Sequence, residues 1–203
     1  MNNFEIDPHF STSYYYDPKF ETQAVKVLPG EYYATDSEEM IVTVLGSCVS
    51  VCLRDSYSGI GGLNHFLLPH DRSSRDTPLA ESARYGVYAM ELLINHLLKL
   101  GAMRHRFEAK VFGGGKVIKD FTFANVGERN VEFVLAHLKN EGIPIVARDL
   151  LNIYPRKVHF FPQTGRVMLK KIHSLHNATL IEREKGYLRQ IERKPISGAI
   201  DLF

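Results

Sequence analysis

Two side chains have the types and setting for acyl transfer: the thiol of Cys48, in Gly46-Ser47-Cys48-Val49, and the imidazole of His65, in Asn64-His65-Phe66. A cysteine attacks a carbonyl carbon as its thiolate, and a free thiol ionises near pKa ~8.5, so a neighbouring imidazole is the usual activator. Cys48 immediately precedes the strand-like run 49–53 and His65 lies in a second, 63–68; the turn-forming stretch 54–62, with its Asp, Ser and Gly residues, joins the two runs. A hairpin turning at Ser56-Tyr57 predicts Cys48 directly across from His65, with Cβ atoms roughly 4.5–5.5 Å apart. Val49, Val51, Leu53, Phe66 and Leu68 then share the other, apolar face. A slip of one residue would part the pair, because strand side chains alternate faces.

An unpaired cysteine is more often a buried small hydrophobe than a nucleophile, and Cys52 is read that way. Cys48 differs in following Gly46-Ser47 at the end of the apolar run 41–45, where a bend exposes backbone N–H groups. Those groups, the Cys48 N–H with one neighbouring amide, could receive a tetrahedral oxyanion. His65 lies in an otherwise apolar strand, where an imidazole without a partner would be costly. His70 is the rival base by proximity in sequence. His9, His173 and His176 fall in terminal stretches, and His96, His105 and His137 on or after helices.

Further strands are predicted at 24–28, 41–45, 107–112 and 145–147, with a hairpin of 158–161 and 167–169 turning at Gln163-Thr164-Gly165. Helices are predicted over 82–100, with Tyr85, Ala89, Met90, Leu93 and Leu97 on one face, and over 127–140, with Val131, Val134, Leu135 and Leu138 inward. Strands and helices in mixed order predict an α+β domain. Gly113-Gly114-Gly115-Lys116 is no phosphate cradle, since Val117 stands where a P-loop needs a hydroxyl. A tight turn, or close approach of backbone to substrate, explains these glycines instead. Residues 71–81 read as a loop beside the His65 strand, a candidate lid or an ordinary surface excursion.

The quoted blocks, taken together, resemble the CheD family of chemoreceptor glutamine deamidases over about residues 25–172. The resemblance rests on Thr43-Val44-Leu45-Gly46-Ser47-Cys48-Val49, Gly62-Leu63-Asn64-His65-Phe66-Leu67-Leu68-Pro69 and Ala83-Arg84-Tyr85-Gly86. It continues in Glu108-Ala109-Lys110-Val111-Phe112-Gly113-Gly114-Gly115, Gly127-Glu128-Arg129-Asn130 and Gln163-Thr164-Gly165-Arg166. It implies mixed β-sheets in a layered, cysteine-hydrolase-like sandwich with helices packed outside. It also implies hydrolysis of glutamine side chains on the cytoplasmic helical domain of methyl-accepting chemotaxis receptors, and regulation by a CheC-type phosphatase. Cys48 would be the nucleophile, His65 the base and Thr43 the group orienting His65, with Ser47, Ser50 or a backbone carbonyl as alternatives. Gly46, Ser47, Asn64, Gly113 and Gly114 are the candidates for positioning oxyanion or substrate.

Length and composition set the frame. At 203 residues, 44% hydrophobic and 24% charged, the chain has the make-up of one globular domain. Residues 1–24 read as a flexible extension, 25–173 as the catalytic domain, and 174–203 as a basic, peripheral tail with a short helix at 180–191 interrupted by Gly186. No stretch reaches the roughly 20 apolar residues of a membrane span, and the N-terminus lacks the basic and apolar regions of a secretory signal. Two cysteines spaced C-x3-C make neither a disulfide framework nor a zinc site, which fits a reducing cytoplasm and no metal or cofactor. A net charge of +2, with eight Lys/Arg against four acids from Arg166 onward, is too sparse for a nucleic-acid surface. Two other readings stand beside the deamidase: a non-catalytic module binding receptor or phosphatase, and a different acyl transfer such as transglutamination or ester hydrolysis.

Overall fold

The computed structural model describes residues 7–69, 78–117, 126–172 and 178–193. One five-stranded sheet has the order β1-β2-β4-β9-β10, from β1 (Tyr14–Asp17), β2 (Thr22–Lys26), β4 (Met40–Leu45), β9 (Arg156–Phe161) and β10 (Arg166–Lys171). The other has the order β3-β6-β5-β7-β8, from β3 (Tyr32–Thr35), β6 (Gly61–Asn64), β5 (Val49–Asp55), β7 (Phe107–Gly113) and β8 (Ile145–Leu150). Each is mixed: β2 runs parallel to β4 and β7 to β8, and the remaining pairs are antiparallel.

Alternation along β5 explains the layers. Cys48 and Cys52 join Ile41, Leu45, Leu63, Phe112, Val158 and Phe160 in a core between the sheets. Val49, Val51 and Leu53 join Phe66, Leu68, Ala109 and Val111 in a second core, closed by α1 (Pro78–Lys99) and α2 (Val126–Asn140). β5 is buried on both faces except at Arg54, and residues 49–53 carry only small or apolar side chains. The result is the layered α+β sandwich with outer helices that the sequence predicts.

The predicted hairpin register is displaced. Cys52 pairs with Leu63, Leu53 with Gly62 and Arg54 with Gly61, and Val49 bridges Phe66. The turn is longer than two residues because the Asp55 carboxylate accepts the N–H groups of Tyr57 and Ser58 at 2.9 and 3.1 Å. The Asp55 N–H meets the Ile60 carbonyl at 2.8 Å, and Gly59 supplies a φ of +79°. Ser50 rather than Cys48 therefore falls opposite His65. The shift is two residues, the strand's own period, so Cys48 stays on the face of His65.

Both ends of the chain depart from expectation. Within the stretch read as a flexible extension, β1 pairs with β2, Phe10 packs into both cores, and Tyr32 donates its N–H to the His9 carbonyl at 2.8 Å. The C-terminal segment is not peripheral: α3 (Ala178–Arg193) runs unbroken past Gly186 and buries Leu188 in the inter-sheet core. His70, His173, His176, most of the 71–81 loop and residues 194–203 lie outside the described residues.

The glycine run packs against backbone of the Cys48 bend. Gly114 and Gly115 donate their N–H groups to the carbonyls of Cys48 (2.8 Å) and Gly46 (2.7 Å). Gly113 has φ +115°, and a Cβ there would overlap the Cys48 carbonyl oxygen. Arg156, fully buried, holds the far side, donating to Asp149 (2.7 Å), the Gly113 carbonyl (3.0 Å) and the Leu151 carbonyl (2.5 Å). Gly113→Ala is expected to lower stability by at least about 1–3 kcal/mol, the usual range for a sparsely populated backbone conformation, before the overlap is added. Gly142→Ala, also at positive φ but in open space, should cost less. Denaturant midpoints of the two variants check this.

Candidate active site at the crossing between the sheets

The chain leaves the first sheet at the end of β4 and enters the second at β5, and Gly46-Ser47-Cys48 makes that crossing. Asn130 of α2, wholly buried, pins the bend. Its Nδ2 donates to the Ser47 carbonyl at 3.0 Å, and its Oδ1 accepts the Leu68 N–H at 2.9 Å. The bend is thereby tied to the segment just after His65.

Thr43 on β4 connects to His65 from below. Its Oγ1 lies 2.8 Å from the Val27 carbonyl oxygen and 2.7 Å from His65 Nδ1. A carbonyl can only accept, so the hydroxyl donates to Val27 and its lone pair accepts the Nδ1–H. That assigns the tautomer: Nδ1 carries the proton and Nε2 the lone pair. Nε2 is buried without a hydrogen-bond partner. The backbone of His65 is held independently, its N–H on the Glu31 carbonyl (2.9 Å) and its carbonyl on the Gly30 N–H (2.8 Å).

Cys48 Sγ, a ring nitrogen of His65 and a carboxylate oxygen of Glu184 all lie within 4.8 Å of one another. With Nδ1 committed to Thr43, Nε2 is the ring nitrogen that keeps a free lone pair. Cys48 and His65 are both buried. Burial lowers the His65 pKa to about 3 and raises that of the Cys48 thiol, which the Glu184 carboxylate raises further. The resting pair is therefore a neutral thiol beside a neutral imidazole.

Glu184, from α3, completes the site. Its Oε1 accepts the N–H groups of Gly46 (2.8 Å) and Cys48 (3.4 Å), and its Oε2 accepts the N–H (3.0 Å) and hydroxyl (2.7 Å) of Ser47. Three successive amides converge on one carboxylate, a nest that suits any oxyanion. Sequence reasoning missed this residue, because Glu182-Arg183-Glu184-Lys185 reads as a solvated face. The available signal was position: Glu184 falls in line with Tyr187, Leu188 and Ile191 at helical spacing.

Among the positioning candidates, Gly46 and Ser47 contribute their amides to this nest. Gly113 and Gly114 stand behind it, engaged with backbone. Asn64 turns the other way: its Oδ1 accepts the Val51 N–H at 3.0 Å, and its Nδ2 donates to the Ala89 carbonyl at 3.1 Å. Neighbouring strand residues face opposite sides, so Asn64 cannot join His65. Among the described residues, two groups could in principle ligate a metal, Cys48-His65-Glu184 and Glu91-His137-Glu141. In the first, both Glu184 oxygens are taken by N–H and O–H donors. In the second, Arg104 bridges Glu91 and Glu141 and supplies the positive charge itself.

A thiol, an imidazole of fixed tautomer and a ring of amide donors define the class as a thiol–imidazole site with the parts for acyl transfer. The sequence profile described as CheD chemotactic sensory transduction matches residues 67–171. A protein of Dechloromonas aromatica named "Probable chemoreceptor glutamine deamidase CheD 1" is 58% identical over 97% of each chain. One of the same name from Shewanella oneidensis is 59% identical over 93% of this chain and 92% of its own. A third, "Probable chemoreceptor glutamine deamidase CheD" of Methylobacillus flagellatus, is 53% identical over 98% of each chain. The chain belongs to the CheD family. A solved structure, Bacillus licheniformis hypothetical protein YfiH, aligns with 60% of this chain and 49% of its own at a TM-score of 0.33 and 12% identity, too slight a likeness to carry an argument.

His65 has a consequence for stability. Its pKa falls from an ordinary 6.5 to about 3 on folding, so between those values the unfolded chain binds the proton and the folded chain does not. Stability from the neutral imidazole is complete above about pH 6.5 and is lost on acidification at up to about 1.4 kcal/mol per pH unit. His65→Gln should flatten that slope, leaving the weaker contributions of His96, His137 and His159, whose pKa values burial also lowers. Denaturant unfolding across pH 4–7 measures it.

Proposed function

We propose that the protein is a chemoreceptor glutamine deamidase, acting in the cytoplasm on glutamines of the helical domain of methyl-accepting receptors. Cys48 is its nucleophile, His65 its acid and base, and Thr43 a positioning residue. The observation that carries this is the Val27–Thr43–His65 chain, which leaves the Nε2 lone pair uncommitted in a ring that lies close to the Cys48 thiol and the amide nest. The names of the relatives supply the substrate class. Among the described residues, no helix is long and apolar enough to cross a membrane.

The geometry supports a two-stage reaction. Nε2 takes the thiol proton as Sγ bonds to the carboxamide carbon, and the oxygen becomes an oxyanion held by the amides of Gly46, Ser47 and Cys48. Collapse breaks the C–N bond, and the Nε2 proton passes to the departing ammonia. Water then loses a proton to Nε2 and attacks the thioester carbonyl. The C–S bond breaks, and glutamate and the thiol are released. Proton transfer of this kind typically contributes about 10²–10⁴-fold, and an oxyanion donor about 2.7–4 kcal/mol. A CheC-type phosphatase is retained as a regulator on the family resemblance. A receptor-binding module without chemistry would not need the fixed tautomer.

The test is mass spectrometry of a receptor cytoplasmic fragment after incubation with the wild-type protein and with Cys48→Ala. Conversion of discrete glutamines to glutamates by the wild type alone is expected. Conversion that persists in Cys48→Ala, or a product carrying an added amine in place of the acid, would overturn the reading. Thr43→Val, which removes the acceptor for Nδ1–H, should lower kcat by at least about tenfold. Thr43→Ser keeps the hydroxyl and should retain most of the rate; equal losses in both variants would assign Thr43 to packing instead.

A further inference from the structure

α3 is attached by one stripe. Glu184, Tyr187, Leu188 and Ile191 recur at i, i+3, i+4 and i+7; the Glu184 and Leu188 side chains are buried, as is Ile191. Glu182, Arg183, Gly186, Arg189 and Gln190 face solvent. The Tyr187 ring lies over Gly30, where any side chain would overlap it, and its hydroxyl meets that of Tyr85 on α1. Below the stripe lie Cys48 and the amide nest.

An acidic side chain that is 2% exposed demands an explanation, because burying a carboxylate is costly unless it is fully hydrogen-bonded. Glu184 is satisfied by the very N–H groups that the proposed reaction assigns to its oxyanion. A glutamate presented from a helix, with its carboxylate in those amides and an oxygen near the nucleophilic sulfur, is also the chemical description of the deamidated product on a receptor helix. While it sits there, no substrate carboxamide can reach the amides. Its charge disfavours ionisation of Cys48, adding to the effect of burial. Gly186 in mid-helix lowers the helix propensity of α3 relative to Ala, which leaves the buried stripe as its main attachment.

The geometry points to α3 as an internal product mimic: it fills the groove that receives the substrate helix, with Glu184 where the new glutamate carboxylate comes to rest. This rests on the deamidase reading and adds a substrate rule to it. The occupant that displaces α3 is a receptor helix running in the same direction, with its glutamine followed by an aromatic or apolar residue at +3 and aliphatic residues at +4 and +7. Product release and self-closure are then the same exchange, one helix for another.

Glu184→Gln turns the mimic into an internal substrate. Made as the full chain and digested for mass spectrometry, this variant is expected to carry glutamate at position 184 when Cys48 is present. It should keep the introduced glutamine when Cys48→Ala is combined with it. An introduced glutamine that persists in a preparation able to deamidate a receptor fragment would overturn the product-mimic assignment and leave the deamidase reading intact. Its conversion without any receptor conversion would support the seat and remove the receptor as substrate. Glu184→Ala gives an independent readout: iodoacetamide labelling of Cys48 should accelerate by about tenfold or more as the closed population falls. An unchanged labelling rate would contradict closure by α3.

Discussion

The hydrogen-bond chain from the Val27 carbonyl through the Thr43 hydroxyl to His65 Nδ1 is the interaction on which the site depends. It spans the two sheets: Thr43 stands on β4 of one, and His65 follows β6 of the other. Each member can act in only one sense. The carbonyl accepts, so the hydroxyl donates, so the imidazole donates, and a free lone pair at Nε2 follows. No charged group is needed, which suits a pocket dry enough to hold His65 far below its ordinary pKa.

The rest of the sandwich keeps that chain and the thiol together. Cys48 could not stand at the crossing without a bend of small residues, and the bend is clamped from two sides. Behind it, Gly113, Gly114 and Gly115 press backbone against backbone, with Arg156 buried beneath them. Above it, Asn130 joins the Ser47 carbonyl to the N–H of Leu68. These polar clamps are all satisfied within the fold, so they fix position without leaving uncompensated buried groups. The amides they leave over converge on the Glu184 carboxylate.

Much of this is legible in the sequence, and the failures have physical causes. The thiol and imidazole show themselves by residue type, and their shared face survives a register error because the error equals the strand period. The register itself is hidden by Asp55, whose carboxylate lengthens the turn through hydrogen bonds that spacing does not reveal. The Asn64 side chain turns away from His65, and strand alternation alone points it towards α1. The terminal segments mislead because their polar composition suggests solvent. The burial of Glu184 depends on backbone amides as far as 138 residues away in the chain, and the order of β1 on a sheet edge that only the fold creates. Thr43 came from family resemblance, and the structure sets its hydroxyl on the imidazole.

The most direct measurement is the ¹⁵N NMR spectrum of the His65 ring as a function of pH, assigned by comparison with His65→Gln. The account predicts a neutral ring at pH 7 with the proton on Nδ1, remaining neutral through the range where an ordinary histidine titrates. A proton on Nε2, or titration near the ordinary value of 6.5, would contradict it, because the lone pair that must take the proton of Cys48 would not be there.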